Sequence, residues 1–482
     1  MEYLWILPAA LGGALVAFLA VIFIRTLRFR PKAAPHVTPT PEDFDRQRCV
    51  ANLQQLVRCR TVSYSDPALE DDAEFERLYD LLPTLYPNVC RVCSLTRLPG
   101  RALLFHWQGR EQGDPTVLMA HFDVVPVEEV AWEKPPFDGI LEDGVLWGRG
   151  TLDTKVTFNG VLSAADHLIA EGFIPQNGIY FAFSGGEEVN GPGAKNIVDW
   201  FKERGITPAM VLDEGGAVVE NVFPGVKAPC GLVGIAEKGM LNLEYRAVSG
   251  GGHASAPPPH TPVGELSAVC CRVEAHPFPS HLTAPVAAMF DTLGRHSTLL
   301  YRMIFANLWC FGGVLDAICR KSGGELNALM RTTVAFTRMQ GSKAANVIPP
   351  SATMVSNLRL NPSDTMESAI SYIKKVAKSD GVEITALEGM DPSRVSRIDT
   401  AGFARISAAI GGTWPGTIVS PYLMVQCSDS RHWGALSDKV YRFSAMDLTT
   451  EERRTIHGNN ERTRTEAAAR AVEFYIRLMR QC

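Results

Sequence analysis

At 482 residues, 46% hydrophobic and 21% charged, the chain has a globular composition and exceeds one ordinary compact domain, so two are expected. A formal net charge of −5 without a dense basic block gives no electrostatic footprint for nucleic acid. Eleven cysteines, an odd number spread thinly, do not form a disulfide-scaffold pattern. Cys90-Arg-Val-Cys93 has no second pair at zinc-finger spacing and reads as structural.

From Tyr3 to Ile24 the chain carries no charge, and ~20 such residues suffice to span a bilayer. The run is longer than a signal-peptide core, and its small residues Ala9–Ala14 lie inside it, not at a cleavage site after it. We read residues 1–30 as a single-pass membrane anchor and the proline-rich residues 31–41 as a linker. Arg25, Arg28, Arg30 and Lys32 follow the apolar run, against Glu2 before it, which favours the body facing the cytosol. The absence of an N-x-[ST] sequon from the body agrees with that side.

Past the linker, Glu42–Val57 predicts an amphipathic helix. Strands at Thr116–Ala120, Ile179–Phe183 and Ala209–Asp213 then alternate with helices at Phe158–Ala170 and Ala194–Arg204, which predicts an α/β domain with a central sheet flanked by helices. Around Glu237 the texture changes. Met240–Val248 (strand), Pro262–Glu274 (helix), Leu329–Met339 and Ala352–Leu360 (strands), Thr365–Ser379 (helix) and Val382–Leu387 (strand) give the βαββαβ order of a small ferredoxin-like domain. The apolar, aromatic stretch His276–Gly324 reads as a helical insertion packing on that domain. The α/β texture resumes after Gly389, so the division is 42–237 with 390–482 for the larger domain and 238–389 for the inserted one.

No G-x-S-x-G elbow is present, no Gly-Lys dipeptide exists for a phosphate loop, and Gly148-Arg-Gly150 lacks the third glycine of a dinucleotide fingerprint. What remains is a set of His, Asp and Glu residues past apolar strands, where open α/β sheets place their sites. VLMAHFDVVPV carries His121 and Asp123, two apart and so on one face of an extended chain, where the acid can orient the imidazole. LWGRGTLDTK carries Asp153. GIYFAFSGGEEVNG ends an apolar run in Glu187 and Glu188, whose side chains point opposite ways on extended chain and so divide their tasks. VLDEGG brings Asp213 and Glu214, and TIHGNNER brings His457. So many unpaired carboxylates repel one another, and divalent cations offset that cost; a mixed N/O donor set suits zinc.

MAHFDVVPV, GRGTLDTK, SGGEEVNG, VLDEGG, GGHASAPP, NVIPP and IHGNNE match, in order, the motifs of the dinuclear-zinc aminoacylase, carboxypeptidase S and desuccinylase family. The chain is most similar to its carboxypeptidase S and N-fatty-acyl-amino-acid synthase/hydrolase branches. The resemblance implies two zinc ions per chain bridged by Asp153, with His121 and Asp213 completing one site and Glu188 and His457 the other. It implies Glu187 as general base and Asp123 as the residue orienting His121. The inserted domain would be a lid and dimerisation domain, whose His253 reaches the partner subunit's site to stabilise the oxyanion. Asn346 and Arg359 would bind the substrate's carboxylate end. Thr154 stands where close relatives often have a second Asp, a position that is not a ligand. The resemblance also favours a secretory or vacuolar lumen for the body, against the basic flank.

The expected activity is hydrolysis of an amide that releases an amino acid from an N-acyl group, with the reverse synthesis as a further expectation. The alternatives are a carboxypeptidase or dipeptidase acting on short peptides and, from another class, a non-catalytic membrane-tethered binding protein.

Overall fold

The computed structural model describes residues 6–32 and 41–482. Residues 1–5 of the expected anchor and residues 33–40 of the expected linker lie outside the described residues. The helix Ile6–Arg28 contains one stretch, Ala9–Arg28, long and apolar enough to cross a membrane or to serve as a signal sequence.

A mixed ten-stranded sheet forms the body. At its centre Asn177–Ser184, Glu111–His121, Met210–Asp213 and Val440–Arg442 lie side by side and parallel. The first and third of these are apolar runs buried almost throughout, as strands covered on both faces must be. Antiparallel neighbours flank them: Ala102–Trp107 on one side and Cys230–Glu237 on the other. The helix Lys155–Ala170 packs against Thr465–Met479 and Arg46–Val57. Gly160 permits that approach, since a Cβ there would stand 3.1 Å from the Tyr475 ring.

The second sheet has the order Thr333–Gln340, Ser351–Leu360, Gly239–Val248, Val382–Met390, antiparallel throughout. With the helices Pro262–Ala275 and Met366–Ala377 it realises the βαββαβ order. Leu241, Leu243, Tyr245 and Ala247 alternate inward and share a core with Leu266, Val269, Ala369 and Ile373 from the two helices.

Two expectations change, and one strand was not expected. The strand expected from Leu329 begins at Thr333, because Leu329 and Met330 end a helix, Gly324–Met330, and bury there. The helical insertion does not pack on the smaller sheet. Its helices Ala284–His296 and Leu299–Ala306 bury Val286, Met289, Phe290, Leu293 and Phe305 against Phe223, Leu232, Tyr422 and Met424 of the larger sheet's margin; only Phe278 at its start joins the smaller core. Ile418–Met424, which forms that margin, escapes notice in the sequence because Pro421 interrupts it. Proline is tolerated there because, among the described residues, the strand pairs with Cys230–Glu237 alone.

Candidate metal centre

Three of the central parallel strands end side by side, and their C-terminal ends bring His121, the Glu187–Glu188 turn and Asp213–Glu214 together. Close packing shapes each end. A Cβ on Gly185 would stand 2.5 Å from the Phe122 ring, so glycine lets the acid-bearing turn lie over the residue that follows His121. A Cβ on Gly216 would lie 1.8 Å from the Leu232 carbonyl oxygen, so the chain leaving Glu214 runs directly against the neighbouring strand.

Glu187 and Glu188 are not on extended chain: the strand stops at Ser184, and Glu187–Val189 forms a single 3-10 turn. Asp123, fully buried, anchors that turn by accepting the N–H of Glu187 (3.1 Å) on one carboxylate oxygen and that of Glu188 (3.2 Å) on the other. The same residue faces His121, whose Nδ1 lies 3.0 Å from the Asp123 carbonyl and 3.4 Å from its carboxylate. Both neighbours are acceptors, so Nδ1 carries the proton and Nε2 is left to bind a metal.

Asp153 stands between the two imidazoles. One of its oxygens is 3.0 Å from His121 Nε2 and the other 3.0 Å from His457 Nε2. Glu188 lies 3.1 Å from His457 Nε2, and Glu214 lies 3.4 Å from His121 Nε2. The group is therefore two triads sharing Asp153. Two donors each about 2.0–2.1 Å from one tetrahedral zinc stand about 3.3 Å apart, near the 3.0–3.4 Å that separates these carboxylates from the two imidazoles. Glu188 also holds a buried oxygen, Oε1, without a hydrogen-bond partner. A buried, unpartnered acceptor in a ring of acids fits a cation. Glu187 forms a further group of possible ligands with His121 and Glu214, the three ligand atoms lying within 4.8 Å of one another.

The electrostatics agree. Burial raises the pKa of Glu187 well above the ordinary carboxylate value, and the charges of Asp429, Glu214 and Glu188 add to that. Burial, then the charge of Asp153, pushes Glu214 up to about 8. Hydrogen bonds to Asp153 and Glu188 raise His457 to about 10. Burial opposes charging His121, yet the carboxylates of Glu214, Asp123 and Asp153 outweigh it and raise its pKa well above the ordinary value. Without cations the cluster must hold protons; divalent cations would replace them.

Asp213, named from the sequence as a ligand, lies beside this group. Its carboxylate accepts the N–H of Ser430 (2.9 Å) and of Glu214 (2.9 Å), and Glu214 takes the place on His121. His253 and Asn346 come together on the small pairing of Gly252–His253 with Val347–Ile348, both exposed. The cavity that contains the acids, about 760 Å³, does not include either among its described lining residues. Arg359 is also absent from that described lining, but its Nη1 lies 3.5 Å from Sγ of the lining residue Cys427.

The sequence reading missed Glu461. Its buried carboxylate pairs with Arg149 (2.7 Å) and accepts the N–H groups of Gly150, Leu152 and Asp153. It thus binds the loop carrying Asp153 to the segment carrying His457. The only signal was an acid inside IHGNNE, four residues past the histidine.

Peptidase family M20/M25/M40 matches residues 117–481, which include every residue of the two triads. The chain belongs to that family. It is a metal-dependent hydrolase. It is 34% identical over 485 residues to the N-fatty-acyl-amino acid synthase/hydrolase PM20D1 of Xenopus tropicalis, covering 98% of this chain and 94% of that relative. It is 31% identical over 480 residues to the probable carboxypeptidase S-like 2 of Dictyostelium discoideum, covering 97% and 92%. Among solved structures, human carnosine dipeptidase 1 gives a TM-score of 0.64 at 14% identity, over 90% of this chain and 96% of that one, a likeness of fold alone.

Proposed function

We propose that this family member is a dinuclear zinc amide hydrolase that releases an amino acid from an N-acyl, and preferentially an N-fatty-acyl, amino acid. The observation that carries the reading is one cavity lined by the acids and by apolar side chains together. Asp153, Glu187, Glu188, Glu214 and His457 line it, and so do Leu232, Met424, Met446, Leu448 and Ala328, with Tyr422, Glu325 and Arg453 among its polar members. Acyl carbons against those apolar side chains would gain about 0.8 kcal/mol per buried methylene.

His121, Asp153 and Glu214 would hold one zinc, and Asp153, Glu188 and His457 the other, with Glu214 in place of Asp213. Zinc held there would polarise the scissile carbonyl and lower the pKa of the attacking water. Glu187, outside both triads, takes the water's proton and delivers it to the leaving nitrogen. Its burial supports that role by raising its affinity for the proton it must carry. Arg359 anchors the free carboxylate of the amino-acid half by charge-assisted hydrogen bonds. His253 and Asn346, exposed and away from their own cavity, act in a homodimer, where the partner's His253 donates to the oxyanion.

A carboxypeptidase or dipeptidase is the second reading, supported by the carboxypeptidase S-like relative. A panel of N-fatty-acyl amino acids against blocked dipeptides, assayed with wild type and Glu187→Gln, tests both. The proposal expects higher kcat/KM on the fatty-acyl substrates and a kcat about 10²–10⁴-fold lower in the variant at unchanged zinc content. Preference for dipeptides would favour the second reading, and full activity of Glu187→Gln would overturn the base assignment.

A further inference from the structure

The apolar N-terminal helix does not stand apart from the body. Asn307, fully buried, donates through Nδ2 to the Ile22 carbonyl and to Thr26 Oγ1, both at 3.3 Å. Arg25 Nε donates to the Ala306 carbonyl at 3.1 Å, and Phe18 meets Trp309 edge-on with ring centroids 5.6 Å apart. Arg295 stacks on Phe29 and donates to the Arg30 carbonyl, and Lys32 lies 3.5 Å from Asp291. Every one of these partners belongs to the helical insertion.

That insertion repeats the character of the helix it holds. Leu299–Ala306 and Leu308–Lys321 together are long and apolar enough to enter a membrane, and they bend by 112° at Asn307, the shape of a re-entrant hairpin. Leu299 (62%), Leu300 (64%), Trp309 (57%) and Val314 (54%) are exposed, beside Leu15, Val16, Leu19 and Phe23 exposed on the N-terminal helix. Soluble surfaces rarely expose contiguous apolar groups on this scale. Exposed Arg28, Arg30 and Lys32 at one helix end, and Arg320 and Lys321 at the other, supply cations suited to lipid phosphates.

We infer that the helical hairpin Leu299–Lys321 is a second membrane element, embedded in the leaflet beside the N-terminal helix and fixed to it through Asn307. The occupant of this face is a phospholipid bilayer, because the face is continuous with a helix of membrane-spanning length and carries basic ends. The next helix, Gly324–Met330, contributes Glu325 and Ala328 to the catalytic cavity, so the hairpin leads directly in sequence into the cavity's lining. On the amide-hydrolase reading, the enzyme takes its acyl substrate from the leaflet.

The test is photo-crosslinking of the full chain in phosphatidylcholine vesicles containing a lipid with a diazirine on its acyl chain. Tryptic peptides are then read by mass spectrometry. Since the readout needs no turnover, it stands or falls apart from the hydrolase reading. The inference expects label on His296–Arg302 and Met303–Arg320 as well as on Met1–Arg25. Label confined to Met1–Arg25, or absent from the two insertion peptides, overturns it. The double variant Leu300→Glu/Val314→Glu, altered only at exposed positions, should lower label on the insertion peptides at least about tenfold. Its circular dichroism and turnover of a water-soluble short-chain substrate should remain unchanged. Undiminished label in that variant also overturns the inference.

Discussion

At the scale of single residues, hydrogen bonding decides which of two adjacent acids faces the metals. Each Asp213 oxygen accepts one backbone N–H, whereas Glu214 extends toward His121. Glu214→Gln should therefore reduce bound zinc toward one per chain. Asp213→Asn should keep both ions and lose about 1–3 kcal/mol of stability through its weakened acceptor. Metal analysis with thermal unfolding separates the two, and the reverse pattern would restore Asp213 as the ligand. The sequence showed that an acid pair follows an apolar strand there, but not which member turns inward, because that depends on the tight passage of Gly216 against Leu232. By contrast, His121, Asp153, Glu187, Glu188 and His457 were all picked out from sequence, and the structure gathers them in one cavity or at its wall. Acids at the ends of apolar runs have few other reasons to exist. Glu461 left no such trace, since its task is to cap backbone N–H groups in a loop whose course the sequence does not reveal.

At the scale of elements, the strands with unbroken apolar runs were legible, as was the order of the smaller sheet. The surface that receives the helical insertion was not: an apolar helix face states that it will bury, not against which sheet. The junction between the sheets adds a measurable consequence. Lys238, between Cys230–Glu237 and Gly239–Val248, donates from Nζ to the carbonyls of Ala328 and Arg331, both at 2.8 Å. Burial, followed by the charge of Arg359, pushes its pKa down to about 7, with Asp364 opposing. The unfolded chain keeps this amine protonated up to its ordinary value of 10.5. Between about pH 7 and 10.5 the unfolded state thus binds the extra proton, and stability rises with pH. The cost of burying the charged form is fully present below pH 7 and is lifted above it. Relative to Lys238→Met, the wild type should gain about 1.4 kcal/mol per pH unit between pH 7 and 9. Denaturant unfolding at three pH values measures this, and parallel curves would contradict it.

At the scale of the whole molecule, the larger sheet presents its acids at the C-terminal ends of its central strands, and the helical insertion packed on that sheet's margin grips the N-terminal helix. The arrangement joins an acid-rich site and an apolar surface on one body. The proposed activity requires two cations that share Asp153. The most direct test is to strip the purified full chain of metal and titrate zinc back while following hydrolysis of an N-fatty-acyl amino acid. The account predicts no activity in the stripped protein and recovery that is complete at two equivalents per chain, with Asp153→Ala unable to recover. Activity that survives stripping, or binding of fewer than one zinc per chain, would contradict it.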